Sequence, residues 1–536
     1  MRILCAILIA ALCVSFARAA APKLDWLFPA GVGRDSQVTV TVSDTSTWPV
    51  KVWIDDPQGV TIEPHKDKGN LTVKVAADAK AGVRWLRTYN DDGASPPRPF
   101  VIGTLPEVEE KETNDVEPQA IEGDVVINGR LAKRNDSDLY RVTLKRGQTF
   151  IADLLANQTL GSPMDGVIQL CDADGFVLTQ NDDTAGLDSR VVFLVPRDDD
   201  YLVRVFAFPA QPTSSISFAG DANYIYRLTL TTGSFADHAM PMAVKRGEST
   251  EVQLRGWNLG YDLKVNVKVD GWGDEIAAAD SALGNTVTLA VLDVPVTIAS
   301  ADATVKSPQR VELPAAISGR LDGAGREHVF GFTAKKGQTI RVHVESHSAG
   351  YAIDPAVRLL DKDGKQLAAS SDRRNERNGK VELKVPMDGD FIVALRDLHG
   401  RGGMRFVYRL SVRVVEPDFA LSLATDSFAA AGGKSLDIPV KIDRLDGFKG
   451  DIRIRVEGLP PSVEAAVVTS LEKGPTAKEV KLTLKAAGDA WAGPIRIIGE
   501  ADGGVTRAAA YSVPATSASR TDPWLSVKKA SSAPEK

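Results

Sequence analysis

The chain has 536 residues, which at roughly 150 residues per domain predicts three or four domains, and more if the modules are small and all-β. Hydrophobic residues at 43% and charged residues at 25% are ordinary globular values that exclude wholesale disorder, a collagen-like repeat and a polytopic membrane protein. Lys and Arg number 64 against 70 Asp and Glu, so the formal charge of −6 is too mild for a nucleic-acid footprint, and no nucleic-acid partner is expected.

The first residues read as a targeting segment. Arg2 supplies a positive start, Ile3 to Val14 an apolar run, and Ala17-Arg18-Ala19 a small-x-small cleavage site, which predicts a signal peptide over residues 1–19. The apolar run is shorter than the roughly 20 residues a membrane span needs, so no transmembrane segment is expected after cleavage. Cys5 and Cys13 leave with that segment, and Cys171 alone cannot form an internal disulfide. Its place in the apolar run Val167 to Cys171 makes it a small buried hydrophobe.

The remaining chain alternates apolar and polar residues, as in Gln37 to Val42, Leu71 to Val75, Tyr224 to Thr231 and Val480 to Leu484. Period-two alternation with frequent Gly and Pro turns predicts an all-β protein built of tandem β-sandwiches. Internal repetition supplies the organisation. Asn128-Gly129-Arg130-Leu131 matches Ser318-Gly319-Arg320-Leu321, and Lys145 to Thr149 matches Lys335 to Thr339, both at a spacing of 190 residues. Tyr226-Arg227-Leu228 returns as Tyr408-Arg409-Leu410. The expected division is an immunoglobulin-like sandwich over 22–104, a repeat module over 106–232, a second such sandwich over 234–304, a degenerate repeat over 305–415, a third sandwich over 416–514 and a disordered tail over 515–536.

Gly129-Arg130-Leu131, Asp138-Leu139-Tyr140-Arg141-Val142, Lys145 to Thr149, Asp172-Ala173-Asp174-Gly175, Asn181-Asp182-Asp183 and Tyr226-Arg227-Leu228 together resemble the bacterial pre-peptidase C-terminal domain. The resemblance covers the first repeat well and the second loosely. It implies a jelly-roll-like sandwich of exported bacterial proteins that serves as a calcium-dependent substrate-binding or stabilising module. No protease motif accompanies it in this chain.

The chemistry concentrates where the first repeat begins. Glu110, Glu112, Asn114 and Asp115 fall within six residues, and alternation along an extended strand would put Glu110, Glu112 and Asn114 on one side. Calcium needs about six to eight oxygens, so a second donor group is required, and Asp136 and Asp138 are its candidates. The family resemblance points the same way, because its acidic linker and second acidic loop fall at these positions. The competing reading of the same residues is a solvated acidic linker. The second repeat, expected to enter through Ser307 to Glu312 and to open its strand with Gly325-Arg326-Glu327-His328, lacks most of such a ligand set.

Elsewhere the polar motifs read as structure. Asp172 to Gly175 is a turn, Asn181 to Asp183 with Asp188 is loop polarity, His343, Glu345 and His347 lack a zinc spacing, and Trp53, Trp85, Trp257, Trp272 and Trp491 suit sandwich cores better than sugar platforms. No nucleophile elbow, zinc-protease helix, phosphate loop or dinucleotide fingerprint occurs. The expected function is a non-catalytic exported binding, adhesion or scaffold protein, periplasmic or extracellular, whose partner is an extracellular or envelope polysaccharide or protein. The alternative is a secreted hydrolase with a carboxylate pair in a groove between modules.

Overall fold

The computed structural model describes residues 20–43, 47–211, 217–260, 263–269, 271, 273–370, 378–487 and 489–529, so the expected signal peptide lies outside the described residues. The protein is all-β, with five sandwiches in series. Alternation dictates the layers. In Ser36–Val42, Val40 and Val42 turn inward while Thr39 and Thr41 face solvent. That strand sits in a sheet with Leu27–Phe28, Asn70–Val75 and Val60–Pro64. The facing sheet of the first sandwich orders Gly31–Gly33, Arg98–Gly103, Gly82–Asn90 and Lys51–Ile54, and Leu71, Val73, Leu86 and Phe100 fill the space between.

Each repeat consists of two five-stranded sheets. In the first, one sheet runs Glu107–Glu109, Val125–Arg130, Ile225–Thr231, Thr149–Leu155, Arg190–Leu194, and the other Gln119–Ile121, Asp138–Leu144, Asp199–Pro209, Met164–Cys171, Val177–Asn181. The second repeat has the same order in both sheets. Its register agrees as well, since Gln119 pairs with Tyr140 where Gln309 pairs with Phe330. Glu107–Glu109 runs parallel to Val125–Arg130 in one sheet, and Gln119–Ile121 runs parallel to Asp138–Leu144 in the other. Residues 110–118 therefore cross the end of the sandwich from sheet to sheet.

Two expected boundaries change. Val296–Ile298 is the entry strand of the second repeat, paired with Ala315–Arg320, so that module begins near residue 296 and not at 305. Its crossing segment is 299–308, and the counterpart of the acidic stretch is Ala299 to Thr304 rather than Ser307 to Glu312. The tail is the second correction. Trp524–Val527 is a fully buried strand between Ser427–Ala430 and Trp491–Pro494, and Ser519–Arg520 pairs with Thr506–Ser512. A Ser-, Ala- and Lys-rich context hides the short buried strand Trp-Leu-Ser-Val, and the last sandwich extends through residue 528. Residues 530–536 lie outside the described residues.

The last sandwich packs on the first. Trp524 meets Trp53 and Tyr89 at ring-centroid distances of 5.8 and 4.8 Å. The buried Arg87 pairs with Asp426, and its Nη2 donates to the Tyr511 hydroxyl at 2.7 Å. A second ionic node joins the middle modules. Asp237 of the sandwich between the two repeats accepts from Arg190 of the first repeat at 2.8 Å and from Arg405 of the second at 3.0 Å. Its carboxylate has no exposed surface, and two guanidinium groups offset the cost of that burial.

Candidate metal centre in the first repeat

The six predicted site residues come together at the end of the first repeat, by a different route from the expected one. Regular strand stops at Glu109, so alternation does not align Glu110, Glu112 and Asn114. The crossing segment folds over the corner instead, with Lys111 N donating to Gln119 Oε1 at 2.8 Å and Gln119 Nε2 to the Glu109 carbonyl at 3.2 Å. The turn after Leu131 delivers the second group. Asp136 Oδ2 accepts from the backbone N–H groups of Ala132 and Lys133 at 2.6 and 3.3 Å, which closes the loop that opens the Asp138–Leu144 strand.

Glu112, Asp115, Asp136 and Asp138 each place a carboxylate oxygen within 4.8 Å of the others. Among the described residues this is the sole group of three or more metal-ligating side chains so arranged. Asp136 and Asp138 have no exposed surface, Asn114 is 1% exposed, and Glu112 is open to solvent. Glu110 stands behind the cluster, its carboxylate hydrogen-bonded to Asp138 and accepting from Arg130 N at 2.7 Å.

Burial and mutual repulsion raise the carboxyl groups of this corner. Burial, then the Asp138 charge, pushes the Glu110 carboxyl up to about 9. Burial raises Asp138 to about 7, against a hydrogen bond from Tyr226 that favours its ionised form. Asp136 and Glu112 are raised by burial as well, followed by hydrogen bonding to Asp115 for Asp136 and by the Asp136 charge for Glu112. The Lys133 ammonium, 57% exposed, is the nearby positive group, 3.4 Å from Asp115 and 3.7 Å from Asp136. Four buried oxygens accept no hydrogen bond from the described residues: Asn114 Oδ1, Asp115 Oδ1, Asp136 Oδ1 and Asp138 Oδ1. Buried acceptors of this kind cost free energy unless water or an ion meets them.

Sequence reasoning missed the support beneath the cluster. Tyr226 donates to Asp138 Oδ2 and shares a 2.5 Å hydrogen bond with Tyr140, both hydroxyls being buried. The motifs Asp138 to Val142 and Tyr226 to Leu228 already contain these tyrosines, and hydroxyls pointing at a carboxylate are invisible without the sandwich. Gly129 makes room for them, because a Cβ there would lie 2.1 Å from Tyr226 Cζ.

The second repeat keeps the frame and loses the donors. Aligning the parallel strand pairs puts Ala299 at the place of Glu110, Ala301 at Glu112, Arg326 at Asp136 and His328 at Asp138. His328 Nδ1 then meets the Tyr408 hydroxyl at 2.6 Å, as Asp138 meets Tyr226.

The other motifs are structural. Asp172 Oδ1 accepts from the N–H groups of Asp174 and Phe176 in a turn, and Asp188 accepts from those of Ala156, Asn157 and Gln158. Glu345 pairs with Arg409, and Cys171 is buried. Trp53 packs on Trp524 and Trp257 on Phe235, while Trp272 lies outside the described residues.

No family model matches the chain. A probable subtilase-type serine protease of Deinococcus radiodurans is 37% identical over 73 residues, which are 14% of this chain and 10% of that protein, so the chain spans about a tenth of the curated relative it matches. Among solved structures, the pre-peptidase C-terminal domain of a Bacillus anthracis collagenase is similar over 20% of this chain and 96% of its own, at 18% identity and a TM-score of 0.17. The insect immune protein hemolin is similar over 91% of this chain and 98% of its own, at 10% identity and a TM-score of 0.22. Among the described residues no helix is long and apolar enough to cross a membrane.

Proposed function

We propose that the protein is an exported, non-catalytic, multi-module binding protein in which a hard divalent cation, calcium by ligand type, stiffens the end of the first repeat. The four buried oxygens of Asn114, Asp115, Asp136 and Asp138 that accept no hydrogen bond from the described residues carry this reading. With Glu112 and Glu110 they offer the roughly six oxygens calcium takes, and an all-oxygen donor set without His or Cys is that of a hard cation. Bound calcium would draw the carboxyl groups into their ionised form and displace Lys133 toward solvent. The five modules would then hold binding surfaces for an extracellular or envelope polysaccharide or protein at fixed separation.

Calorimetric titration of the full chain with calcium, magnesium and chelator tests the cation. One calcium per chain, lost in Asp138→Asn, is expected. Absence of calcium binding at millimolar concentration would overturn the reading.

A further inference from the structure

The two repeats carry the same hairpin at the same sheet edge and finish it differently. In the first, Asp172 Oδ1 accepts from the N–H groups of Asp174 and Phe176, and in the second Asp361 Oδ1 accepts from those of Asp363 and Lys365. Both turns lead into the terminal strand of a five-stranded sheet, Val177–Asn181 in the first repeat and Gln366–Ala369 in the second. Among the described residues each of these strands pairs with a neighbour on one side only. Such an edge presents a row of backbone N–H and C=O groups that can template a further strand.

The second repeat blunts its edge and the first does not. Lys365 and Gln366 open the second strand, and Leu367 packs against the core. Their counterparts are Phe176, Val177 and Leu178, which are 71%, 48% and 43% exposed. Among the described residues no other consecutive large apolar side chains are exposed. Apolar surface is ordinary when scattered singly; three neighbours on an open edge mark a place for a partner.

The surroundings of the first edge are acidic. Residues 161–189 contain six Asp and no Glu, Lys, Arg or His, whereas residues 350–378 of the second repeat contain five Asp and Glu against six Lys and Arg. Asp174 stands before the exposed strand and Asp182 and Asp183 after it, all three exposed, and the strand between them is uncharged. Their field reaches a neighbour: burial, then the Asp183 and Asp182 charges, holds the Asp165 carboxyl above its ordinary value. A second copy of this edge is a poor occupant, because antiparallel pairing would bring Asp174 of one copy beside Asp182 and Asp183 of the other.

We propose that the Val177–Asn181 edge receives an extended segment of a partner protein, apolar or β-branched along its middle and carrying Lys or Arg at both ends. The segment would extend the sheet by one strand, with main-chain hydrogen bonds supplying affinity and Phe176, Val177 and Leu178 covering its apolar side chains. Asp174 at one end and Asp182 with Asp183 at the other meet the flanking cations, which sets the length and register of the segment.

The inference deepens the reading of the chain as a binding protein and does not involve the cation. The test is titration of the full chain, in chelator, with a synthetic peptide of alternating threonine and valine flanked by two lysines at each end. Two further peptides carry glutamates for the lysines or prolines for the valines. The lysine peptide should bind at submillimolar concentration, and the other two at least about tenfold more weakly. Bound peptide should slow hydrogen exchange at the amides of Val177–Asn181. Phe176→Lys with Val177→Gln, the residues of the second repeat, should weaken binding by at least about tenfold, and Asp182→Asn with Asp183→Asn should weaken it and flatten its salt dependence. All four side chains are exposed, so both variants should melt with the parent and separate lost binding from lost folding. No binding at about 1 mM, equal binding of the proline peptide, or binding that survives Phe176→Lys with Val177→Gln overturns the proposal. Calcium uptake, titrated without peptide, reads the proposed function separately, so failure at this edge leaves that reading standing.

Discussion

Asp138 and His328 occupy the same position in the two repeats, and each meets a buried tyrosine hydroxyl, Tyr226 and Tyr408 respectively. The tyrosine is part of the shared sandwich; the residue facing it decides whether the corner gathers negative charge. At Asp138 three further carboxylates lie within 4.8 Å, whereas His328 has alanines and Arg326 at the corresponding places. Burial holds the His328 imidazole below its ordinary pKa and so favours the neutral ring.

Calcium should stabilise this chain through one repeat only. At a hundredfold excess over its dissociation constant the cation would add about 2.7 kcal/mol. Glu112→Gln removes a solvent-facing ligand and should cut that gain while leaving the melting temperature in chelator unchanged. Asp302→Gln, which alters the one carboxylate of the second crossing segment, should change neither value. Equal losses from the two variants in calcium melting curves would contradict the assignment.

Stability should fall with rising pH without calcium and stay level with it. Glu110 and Asp138 have folded-state values of about 9 and about 7, above their unfolded values near 4. Between those limits the cation-free folded state holds more protons than the unfolded chain, so its stability falls as pH rises from about 5 to 9. Calcium ionises both groups in the folded state and removes that fall. Melting temperatures across this range in chelator and in calcium test it, and parallel curves would count against a cation at this corner.

Gly129→Ala and Gly319→Ala should both destabilise, because the new methyl would lie 2.1 and 2.3 Å from Cζ of Tyr226 and Tyr408. Overpacking of this kind costs about 1–3 kcal/mol. The two should part in function: Gly129→Ala shifts the tyrosine that holds Asp138 and should weaken calcium binding as well, which Gly319→Ala should not. Denaturant midpoints with a calcium titration of each variant read both effects.

Arg87→Ala should release the last sandwich from the first. It leaves Asp426 largely buried without its cation, a loss of about 3–5 kcal/mol for a pair of this type. A larger hydrodynamic radius and a second, earlier calorimetric transition are the expected signs; an unchanged radius would mean that the aromatic contacts of Trp524 suffice.

Truncation after residue 514 should fail to give a folded last sandwich. It deletes Trp524–Val527, the middle strand of a three-stranded sheet, and removal of a buried Trp alone costs about 3–5 kcal/mol. Loss of the cooperative transition of that module, with aggregation, is expected, whereas truncation after residue 529 should be neutral.

The sequence by itself determined the all-β class, the five modules and the two repeats, because alternation and turn residues are local signals and a spacing of 190 residues survives without any structure. It also brought out the four carboxylates that cluster, Glu112, Asp115, Asp136 and Asp138, since two short acidic stretches stand out against a near-neutral chain. Their geometry came only from the tertiary structure: parallel pairing at both ends of the crossing segment turns a linear acidic run into a corner, and burial there turns ordinary carboxyl groups into unpartnered donors. The strand at Trp524 was illegible for a related reason, as four residues show no periodicity until the sheet that receives them exists.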